Sequence, residues 1–287
     1  AKRVVLATGA IERPLVFHEN DRPGIMLASA AETYLHRYGV LPGRNVLVFA
    51  NNDSGWGSAF ALAEAGAAIA GIVDMRREIE PELLHRAAAL GIPIRTGCGI
   101  VGTSGRFRVT SAKLRAVDGS GETSEVGCDL IAVAGGWTPN TALFAQSRGK
   151  LRWDEDLAAY RPGLSWQKEA SAGASDGVFD LAGCLRAGAE AGARAVSDLG
   201  LSAEAVASPA IETQEVLQRT IHFVAEVPSH RKPEETRAWV DLQDDVTTKD
   251  LKLAMQEGME SIEHAKRYTT TGMGTDQGKV ANLNAFK

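Results

Sequence analysis

The stretch NVLVFANNDSGWGSAFALAEAGAAIAGIVD, residues 45–74, decides the fold. Its first five residues form a short apolar run, which predicts a buried strand, and Ala67 to Val73 predict a second one. Between them a polar turn, Ala50 to Gly57, leads into a helix predicted over Ser58 to Ala65. Strand, helix and strand at this spacing predict a βαβ crossover, the unit from which parallel α/β sheets are built.

The turn of this unit lies where a dinucleotide-binding fingerprint would lie. The usual G-x-G-x-x-G pattern lets the backbone approach a pyrophosphate at the helix N-terminus. Here its three glycine positions hold Ala50, Asn52 and Gly55. Asn52 tolerates the left-handed conformation, and Asp53 or Ser54 can cap the helix. Asp74 ends the second strand, where an acid binds a ribose hydroxyl. These residues predict a nicotinamide-nucleotide site made by Asn52, Asp53, Gly55 and Asp74. The alternative is a unit kept for packing, with Asp53 as a plain helix cap and Asp74 as a solvated strand end.

Two further strand ends carry small residues. Ala-Thr-Gly-Ala at 7–10 ends a predicted buried strand, Arg3 to Ala7, and Val-Ala-Gly-Gly-Trp-Thr-Pro-Asn at 133–140 ends the predicted strand Asp129 to Ala134. Paired ends of this kind are typical of proteins with two dinucleotide-binding domains, where the chain crosses between them. The alternative is an ordinary strand followed by a glycine turn. The predicted cofactor-binding residues are Thr8, Gly9 and Gly135.

A third glycine turn, Ala-Gly-Ala-Ser-Asp-Gly at 172–177, precedes the predicted long helix Val178 to Leu199. In flavoproteins of the two-domain class, an acid after the first glycine binds the ribityl chain of the flavin. Ala174 stands at that position, so FAD is disfavoured there, whereas NAD has no ribityl chain and is compatible. We therefore predict that Gly173 and Ala174 contact NAD.

The remaining pattern predicts an α/β protein that ends in a helical region. A long loop is predicted over Trp137 to Lys168, and short antiparallel strands over Arg95–Val101, Phe107–Val109 and Leu114–Ala116. Helices are predicted over Ala28–Tyr38, Glu80–Leu90, Ala203–Val224 and, as one or two helices capped by Thr247 or Thr248 and broken at Gly258, Thr247–Arg267.

The composition limits the class of protein. The 287 residues are 44% hydrophobic and 23% charged, as in a globular domain, and the net charge of −5 gives no reason to expect nucleic acid. No stretch approaches the roughly 20 apolar residues of a membrane span. The unpaired spacing of Cys98, Cys128 and Cys184 predicts neither a disulfide framework nor a zinc site and suits the cytoplasm. Six scattered histidines predict no metal centre, and no set of residues predicts a catalytic nucleophile.

The chain resembles the alpha subunits of heterotetrameric sarcosine oxidases along essentially its whole length. The resemblance rests on Ala-Thr-Gly-Ala-Ile-Glu-Arg-Pro at 7–14, Asn-Asn-Asp-Ser at 51–54 and Ala-Gly-Gly-Trp-Thr-Pro-Asn at 134–140. The most specific match is the tail Lys-Arg-Tyr-Thr-Thr-Thr-Gly-Met-Gly-Thr-Asp-Gln-Gly-Lys at 266–279.

The resemblance implies an enzyme complex that oxidises sarcosine to glycine. FAD on the beta subunit takes the hydride, electrons pass to FMN at the alpha–beta interface and then to oxygen, and the alpha subunit carries NAD. The implied partners are the beta, gamma and delta subunits and a tetrahydrofolate-handling domain that would follow Lys287. The first strand and glycine fingerprint of the first dinucleotide-binding domain would precede Ala1. We therefore expect an internal section of the subunit, which is inactive alone and holds nucleotide weakly or not at all.

The expected fold is a Rossmann-like FAD/NAD(P)-binding fold with two dinucleotide-binding domains and a small C-terminal helical domain. Residues 1–40 and 126–200 are predicted to form the remnant of the first dinucleotide-binding domain. Residues 41–125 are predicted to be an inserted NAD-like βαβ domain, and residues 201–287 a linker and the helical domain.

The tail predicts a phosphate cradle at the end of a helical segment. Charged side chains, threonine hydroxyls and the backbone N–H groups of Gly272 and Gly274 could together surround an anion. The hypothesis is that it grips the FMN phosphate at the subunit interface; the alternative is a solvated boundary segment that is disordered or rearranged in this chain. The predicted contacts are Arg267, Thr269, Thr270, Gln277 and Lys279.

Two other functions stay open. One is the alpha subunit of a related opine, proline or amine dehydrogenase, although the absence of cysteine between Trp239 and Gly258 and the Arg-Tyr-Thr-Thr tail speak against it. The other is a non-catalytic scaffold module, which Ala50 and Asn52 favour for the βαβ unit.

Overall fold

The computed structural model of the chain describes residues 1–202, 211 and 221–287. These residues form two compact units. Unit 1 comprises residues 1–11 and 137–221, and unit 2 comprises residues 12–136 and 222–287. The helix predicted over Ala203–Val224 lies almost entirely outside the described residues.

The strands of the described residues are numbered in chain order: β1 Val4–Leu6, β2 Ala10–Glu12, β3 Ile25–Leu27, β4 Asn45–Ala50, β5 Ala68–Asp74, β6 Ile94–Thr96, β7 Cys98–Ser104, β8 Ser111–Ala116, β9 Ser124–Gly127, β10 Leu130–Ala134, β11 Trp137–Pro139, β12 Lys150–Asp154, β13 Ala159–Leu164, β14 Glu169–Ser171, β15 Trp239–Asp241 and β16 Val246–Thr247. The helices are α1 Ala28–Tyr38, α2 Ser54–Glu64, α3 Pro81–Ala89, α4 Ala142–Gln146, α5 Leu181–Ser197, α6 Thr248–Gln256, α7 Ile262–Thr269 and α8 Asn282–Phe286, with a short 3-10 helix at Gly173–Asp176.

Unit 2 is built on a parallel sheet of five strands in the order β3-β10-β4-β5-β6. The predicted βαβ crossover is present as β4, α2 and β5, with β4 and β5 hydrogen-bonded as parallel neighbours. Helix α2 begins at Ser54, four residues before the predicted Ser58, so the predicted polar turn is shorter than expected. The parallel sheet confirms the α/β class.

An antiparallel sheet, β7-β8-β9, completes the core of unit 2. Its buried side chains join Phe17 and Phe49 in one apolar cluster, and those two rings meet edge to face at 5.5 Å. The prediction of three strands here was partly wrong. Arg95–Val101 is divided between β6, which joins the parallel sheet, and β7, while Phe107–Val109 is not a strand.

Unit 1 contains the first strand and the long helix α5. Strand β1 pairs in parallel with β14, and Val4 and Val5 are 43% and 39% exposed among the described residues, so the prediction of a buried strand was wrong in its burial. The loop predicted over Trp137–Lys168 was also wrong. It contains β11, α4 and a hairpin of β12 and β13, in which Trp153 packs edge to face on Tyr160 at 5.1 Å.

The two units divide the chain differently from the predicted domains. Residues 25–27 and 130–134 were assigned to the first domain, but β3 and β10 lie in the same sheet as β4. The physical reason is the pairing of β10 along β4 over five residues, from Leu130 opposite Val46 to Ala134 opposite Ala50. Residues 222–287 likewise belong to unit 2.

The last segment of the chain contains the predicted pair of helices. Thr247 caps α6 through a capping box with Asp250, and Gly258, with φ of 86°, follows its end. Helix α7 starts after the cap Ser261. Backbone and side-chain bonds fix this segment within unit 2, among them Trp239 N–H to Asn20 Oδ1 at 2.8 Å and Asn284 Nδ2 to the Pro14 carbonyl at 3.0 Å.

Candidate functional site

The turn between β4 and α2 is filled by the side chain of Asn52. Its Nδ2 donates to the Ala134 carbonyl at 2.8 Å, and its Oδ1 accepts from the N–H and the hydroxyl of Ser54 at 3.0 and 2.6 Å. Asn52 is fully buried, and its φ is not positive. The left-handed conformation that the sequence allowed at this position is therefore not used, and the amide binds the protein's own backbone.

Gly55 permits close packing of α2 on the sheet. A Cβ at this position would lie 2.8 Å from the Cβ of Ala50 and 2.9 Å from that of Ala134. Side-chain carbons do not approach this closely, so only glycine allows the helix to lie against both β4 and β10. The third glycine of a dinucleotide fingerprint has the same packing role.

Arg76 brings Asp53 and Asp74 together. Its Nη1 lies 2.7 Å from Asp53 Oδ1, and its Nη2 lies 2.8 Å from Asp74 Oδ2. Its Nε and its backbone N–H donate to Asp74 Oδ1 at 3.1 and 2.9 Å, and the Trp56 indole N–H donates to Asp74 Oδ2 at 2.8 Å. Burial alone would lower the pKa of Arg76, but its bonds to the two carboxylates raise it above its ordinary value.

This geometry tests whether the crossover fits NAD. A ribose-binding acid must offer a carboxylate oxygen to the sugar, but both oxygens of Asp74 already accept two donors each. The pyrophosphate would also have to approach a turn filled by Asn52. The residues of the βαβ crossover therefore do not fit a dinucleotide. The sequence analysis missed Arg76, although a basic residue two positions after Asp74 was the available signal.

Gly135 marks a close crossing of two backbone segments. Its N–H donates to the Arg13 carbonyl at 2.9 Å, and the Arg13 N–H donates to the Gly136 carbonyl at 2.8 Å. A Cβ on Gly135 would lie 2.6 Å from the Arg13 carbonyl oxygen. Gly135 was predicted to bind cofactor. The structure shows that glycine is required here for close packing, because β10 ends beside the backbone of residues 13 and 14.

Glu12 is a buried carboxyl group that the sequence analysis did not single out. One of its oxygens accepts the N–H of Ser29 at 2.8 Å, at the start of α1. Burial raises its pKa to about 7, opposed by the bonds to Ser29 and reinforced by the charge of Glu32. Glu32 itself accepts a hydrogen bond from the Ser58 hydroxyl on α2. This carboxyl group is therefore only partly ionised near neutral pH.

The predicted cofactor residues of unit 1 meet at one end of β1 and β14. Thr8 donates its hydroxyl to the Asn140 carbonyl at 2.6 Å, and the Asn140 N–H donates to the Gly9 carbonyl at 2.9 Å. Gly9 and Gly173 both adopt positive φ, at 74° and 68°, and a Cβ on Gly9 would meet no atom within 4 Å. The backbone at Gly9 is therefore open to a ligand, unlike the turn at Asn52.

The turn that contains Gly173 and Ala174 is joined directly to β1. The N–H of Ala172 donates to the Leu6 carbonyl at 3.0 Å, and the Ser175 hydroxyl donates to the same carbonyl at 3.0 Å. Residues more than 160 positions apart in sequence are thus neighbours at this strand end. The residues fit the backbone contacts that a nucleotide makes, and Ala174 offers no carboxylate to a ribityl chain.

The tail, residues 266–279, is bonded to β15 through the side chain of Asp241. The Gly272 N–H donates to Asp241 Oδ2 at 2.8 Å, and Asp241 Oδ1 accepts from the N–H groups of Gln243 and Asp244. Thr270, at positive φ, precedes this turn, and Asp241 is buried. The backbone arrangement predicted to hold a phosphate therefore holds the carboxylate of Asp241.

The predicted phosphate ligands of the tail also bond within the chain. The Thr269 hydroxyl donates to the Ala265 carbonyl at 2.7 Å, and Gln277 Nε2 donates to the Gly274 carbonyl at 3.0 Å. The Thr270 hydroxyl donates to its neighbour's carbonyl at 2.5 Å. Arg267 and Lys279 are exposed, with Arg267 3.9 Å from Glu263. Thr270 and Gln277 are exposed as well, so Arg267 and Lys279 are set apart among the predicted contacts by their charge.

The described residues contain neither a metal-binding cluster nor a membrane-spanning helix. No group of three or more histidine, cysteine, aspartate or glutamate side chains in this part of the chain is arranged to hold a metal ion. Within the same residues, no helix has the length and apolar character needed to cross a membrane.

Comparison with known proteins finds similarity to sarcosine oxidase alpha subunits. Residues 235–287 match the family described as the sarcosine oxidase A3 domain. Over its whole length the chain is 38% identical to the sarcosine oxidase subunit alpha of Rhizobium meliloti (strain 1021) and 38% identical to that of Corynebacterium sp. (strain P-1). It spans 28% and 30% of the length of these two proteins.

The fold is also that of a solved oxidoreductase. The crystal structure of L-proline dehydrogenase from P. horikoshii superposes with a TM-score of 0.66 at 23% identity, covering 99% of this chain and 52% of the dehydrogenase chain. This likeness supports the two-domain FAD/NAD(P)-binding fold expected from the sequence. In sequence, the chain is similar along its whole length to a section of the sarcosine oxidase alpha subunit, and its residues 235–287 match the A3 domain of that family.

Proposed function

We propose that the chain is the nucleotide-binding section of the alpha subunit of a flavin-dependent complex that oxidises sarcosine to glycine. The observation that carries this proposal is the 38% identity to sarcosine oxidase alpha subunits over the whole chain. The proposed partners are beta, gamma and delta subunits and a tetrahydrofolate-handling domain of the same subunit. The complex is placed in the cytoplasm, in keeping with three cysteines that form no disulfide.

The proposed role of this section is to bind and position cofactors, with no catalytic residue of its own. NAD is placed in unit 1, where Thr8, Gly9, Gly173 and Ala174 lie at one strand end and the backbone at Gly9 is open. The small residues allow the backbone to approach a pyrophosphate, as in other dinucleotide sites.

FMN is placed at the interface with the beta subunit, beside the tail. Where bound, a flavin supplies electron transfer between the amine-oxidising centre and oxygen. The Gly272 N–H is already bonded to Asp241. We therefore propose that the FMN phosphate is bound by the exposed charges of Arg267 and Lys279. Thr269, Thr270 and Gln277 then shape the loop through their bonds to their own chain.

The first experiment measures sarcosine-dependent peroxide formation and FMN content in the complete complex. We expect wild type to oxidise sarcosine, and the double variant Arg267→Ala/Lys279→Ala to lose FMN affinity by about tenfold or more, since charge-assisted bonds to an anion are lost. The double variant Arg106→Ala/Lys150→Ala, which removes two exposed charges elsewhere, is the matched control and should retain FMN.

The outcomes separate the parts of the proposal. A complex that oxidises proline or an opine, but not sarcosine, would replace the substrate with that of a related dehydrogenase. Normal FMN content in the Arg267→Ala/Lys279→Ala variant, with sarcosine oxidation intact, would remove the tail from the FMN site while the substrate assignment stands. A complex that turns over normally without any nucleotide in this section would favour the scaffold alternative.

A further inference from the structure

We infer that the βαβ crossover of unit 2, β4-α2-β5, is closed to dinucleotides by its own side chains, with Asn52 filling the turn before α2 and with Asp53 and Asp74 both paired with Arg76. This inference goes beyond the proposed function and does not rest on it. It separates the two sites that the sequence predicts for NAD and leaves only the one in unit 1.

The first step concerns the hydrogen-bonding capacity of Asp74. An ionised carboxylate has about four acceptor positions on its two oxygens. In Asp74 these are taken by the Arg76 N–H and Nε on one oxygen and by Arg76 Nη2 and the Trp56 indole on the other. Asp74 is fully buried, so a ribose hydroxyl could bind only by displacing one of these donors.

The second step concerns charge. Asp53 is buried at the residue before α2, an eleven-residue helix whose N-terminus carries a partial positive charge. The Asp53 side chain makes no capping bond to the helix, and its carboxylate instead pairs with Arg76 beside that helix end. With Asp74 it places two negative charges beside the single positive charge of Arg76. A pyrophosphate brought to the same place would be repelled by the net charge of this cluster.

The third step concerns space. A dinucleotide fingerprint leaves the turn before the helix bare so that phosphate oxygens can approach the backbone. Here the Asn52 amide lies in the turn and joins the Ala134 carbonyl to Ser54. Opening the turn would leave the Asn52 amide and the Ala134 carbonyl, both buried, without these hydrogen-bond partners.

The same cluster has a structural role that explains its presence. Arg76 follows β5, Trp56 lies on α2, and Asp53 ends the turn after β4, so the cluster joins the ends of all three elements of the crossover. The bonds that would be made with a nucleotide in other α/β proteins are made within the chain.

The test follows Trp56, because its indole N–H reports directly on Asp74. In ¹⁵N-labelled full chain, the Trp56 indole resonance is assigned by its loss in Trp56→Phe. We expect millimolar NADH to leave this resonance unmoved. We expect Asp74→Asn to shift it in the absence of nucleotide and to lower the Tm, since the bond to Arg76 loses its charge. NADH binding that moves the Trp56 resonance in wild type would overturn the inference.

Calorimetry with NADH supplies an independent measurement. If NADH binds to the site proposed in unit 1, its affinity should be the same in wild type and Asp74→Asn, and absence of binding in both also agrees with a closed crossover. A loss of affinity of about tenfold or more in Asp74→Asn would identify Asp74 as a ribose ligand and overturn the inference. Asp118→Asn, which removes the exposed partner of Arg77, is the matched control and should change neither Tm nor the Trp56 resonance.

Discussion

Gly55 shows how a single residue determines the spacing between helix and sheet. Any side chain at this position would meet the methyl groups of Ala50 on β4 and Ala134 on β10. Alanine already has the smallest side chain, so neither neighbour can be made smaller except by glycine. Because protein interiors are close-packed, the helix cannot accept one more carbon here without moving away from the sheet. The position is therefore fixed by packing, whatever ligand the crossover binds.

We predict that Gly55→Ala destabilises unit 2 by about 1–3 kcal/mol, the range for overpacking a close contact. The comparison variant is Gly188→Ala in α5, where a Cβ would meet no atom within 4 Å. There the change should stabilise the helix by roughly 0.5–1 kcal/mol, because alanine is the better helix former. Denaturant unfolding measures both. Equal effects of the two substitutions would contradict the packing argument at Gly55.

Glu12 gives a second prediction at the scale of one residue. Burial raises its pKa to about 7 from 4.5, so the folded state binds its proton more tightly than the unfolded state. Its contribution is therefore most favourable below pH 4.5, declines as pH rises to 7, and stays unfavourable above. At pH 8 the Glu12→Gln variant should be more stable than wild type by up to about 3 kcal/mol.

The measurement for Glu12 is the free energy of unfolding between pH 5 and pH 8. The difference between Glu12→Gln and wild type should grow as pH rises and be small at pH 5. Glu78→Gln, which neutralises an exposed glutamate, is the control and should show no such trend. A constant difference at all pH values would mean that Glu12 titrates normally.

At the scale of the residue, sequence reasoning identified the positions of the site better than their partners. Asp53 and Asp74 were selected from their positions in the pattern of a dinucleotide-binding crossover, and the structure does place them together. Their partner could not be foreseen from spacing, because a flexible Arg76 side chain can turn toward the aspartates or toward solvent. Only the packed structure shows which of these happens.

Helix α6 is the element whose boundaries the sequence determined most directly. Thr247 accepts from the Asp250 N–H while Asp250 accepts from the Thr247 N–H, so two of the N–H groups left without partners in the first turn are satisfied locally. All of these residues lie within four positions, which is why a sequence pattern suffices. Gly258 ends the element by adopting a left-handed conformation.

We predict that Thr247→Ala costs about 0.5–2 kcal/mol of stability, the usual range for loss of an N-cap. Thr247→Ser keeps the hydroxyl and should cost much less. Hydrogen exchange of the first turn of α6, together with thermal unfolding, measures the effect. If Ser and Ala were equally destabilising, the methyl group rather than the hydroxyl would be the important part of Thr247.

The hairpin of β12 and β13 shows why other elements were missed. Pro162 lies inside β13, where proline normally argues against a strand, and Ala158 makes the preceding turn at a positive φ of 45° without glycine. The stabilising contact is the cross-strand pair of Trp153 and Tyr160. Such a pair depends on register, which no local composition reveals. The same holds for β3 and β10, which pair across more than 100 residues.

At the scale of the whole molecule, the long-range pairings of unit 2 bring together two histidines from separate parts of the chain. His18 and His230 have ring centroids 5.7 Å apart. His18 Nδ1 accepts the Arg237 N–H at 3.0 Å, and His230 Nδ1 lies 2.8 Å from the Val101 carbonyl. Both rings thus connect residues 222–240 to the sheet portion of unit 2, and neither contact could be anticipated from the scattered positions of the histidines in the sequence.

His18 should make the stability of unit 2 fall in mild acid. Burial lowers its pKa, and the charges of His230 and Arg231 lower it further, against the opposing charge of Glu19. A histidine with a lowered pKa binds protons more weakly in the folded state, so its stabilisation is present above pH 6.5 and is lost as pH falls through its folded pKa. This slope is opposite in sign to that of Glu12 over much of the same range.

In the wild-type protein the opposite pH dependences of the Glu12 and His18 contributions partly cancel. We therefore predict the difference in Tm between variants. His18→Asn keeps an acceptor for the Arg237 N–H but cannot be protonated, so its Tm relative to wild type should rise as pH is lowered from 7.5 to 5.5. In the Glu12→Gln background, where the opposing pH dependence is removed, the loss of stability in acid should be steeper, and His18→Asn should again reduce it.

His36→Asn, on the exposed side of α1, is the control and should follow wild type. A Tm difference between His18→Asn and wild type that is the same at both pH values would show that folding does not lower the pKa of His18, and the acid sensitivity of unit 2 would then have to come from other groups.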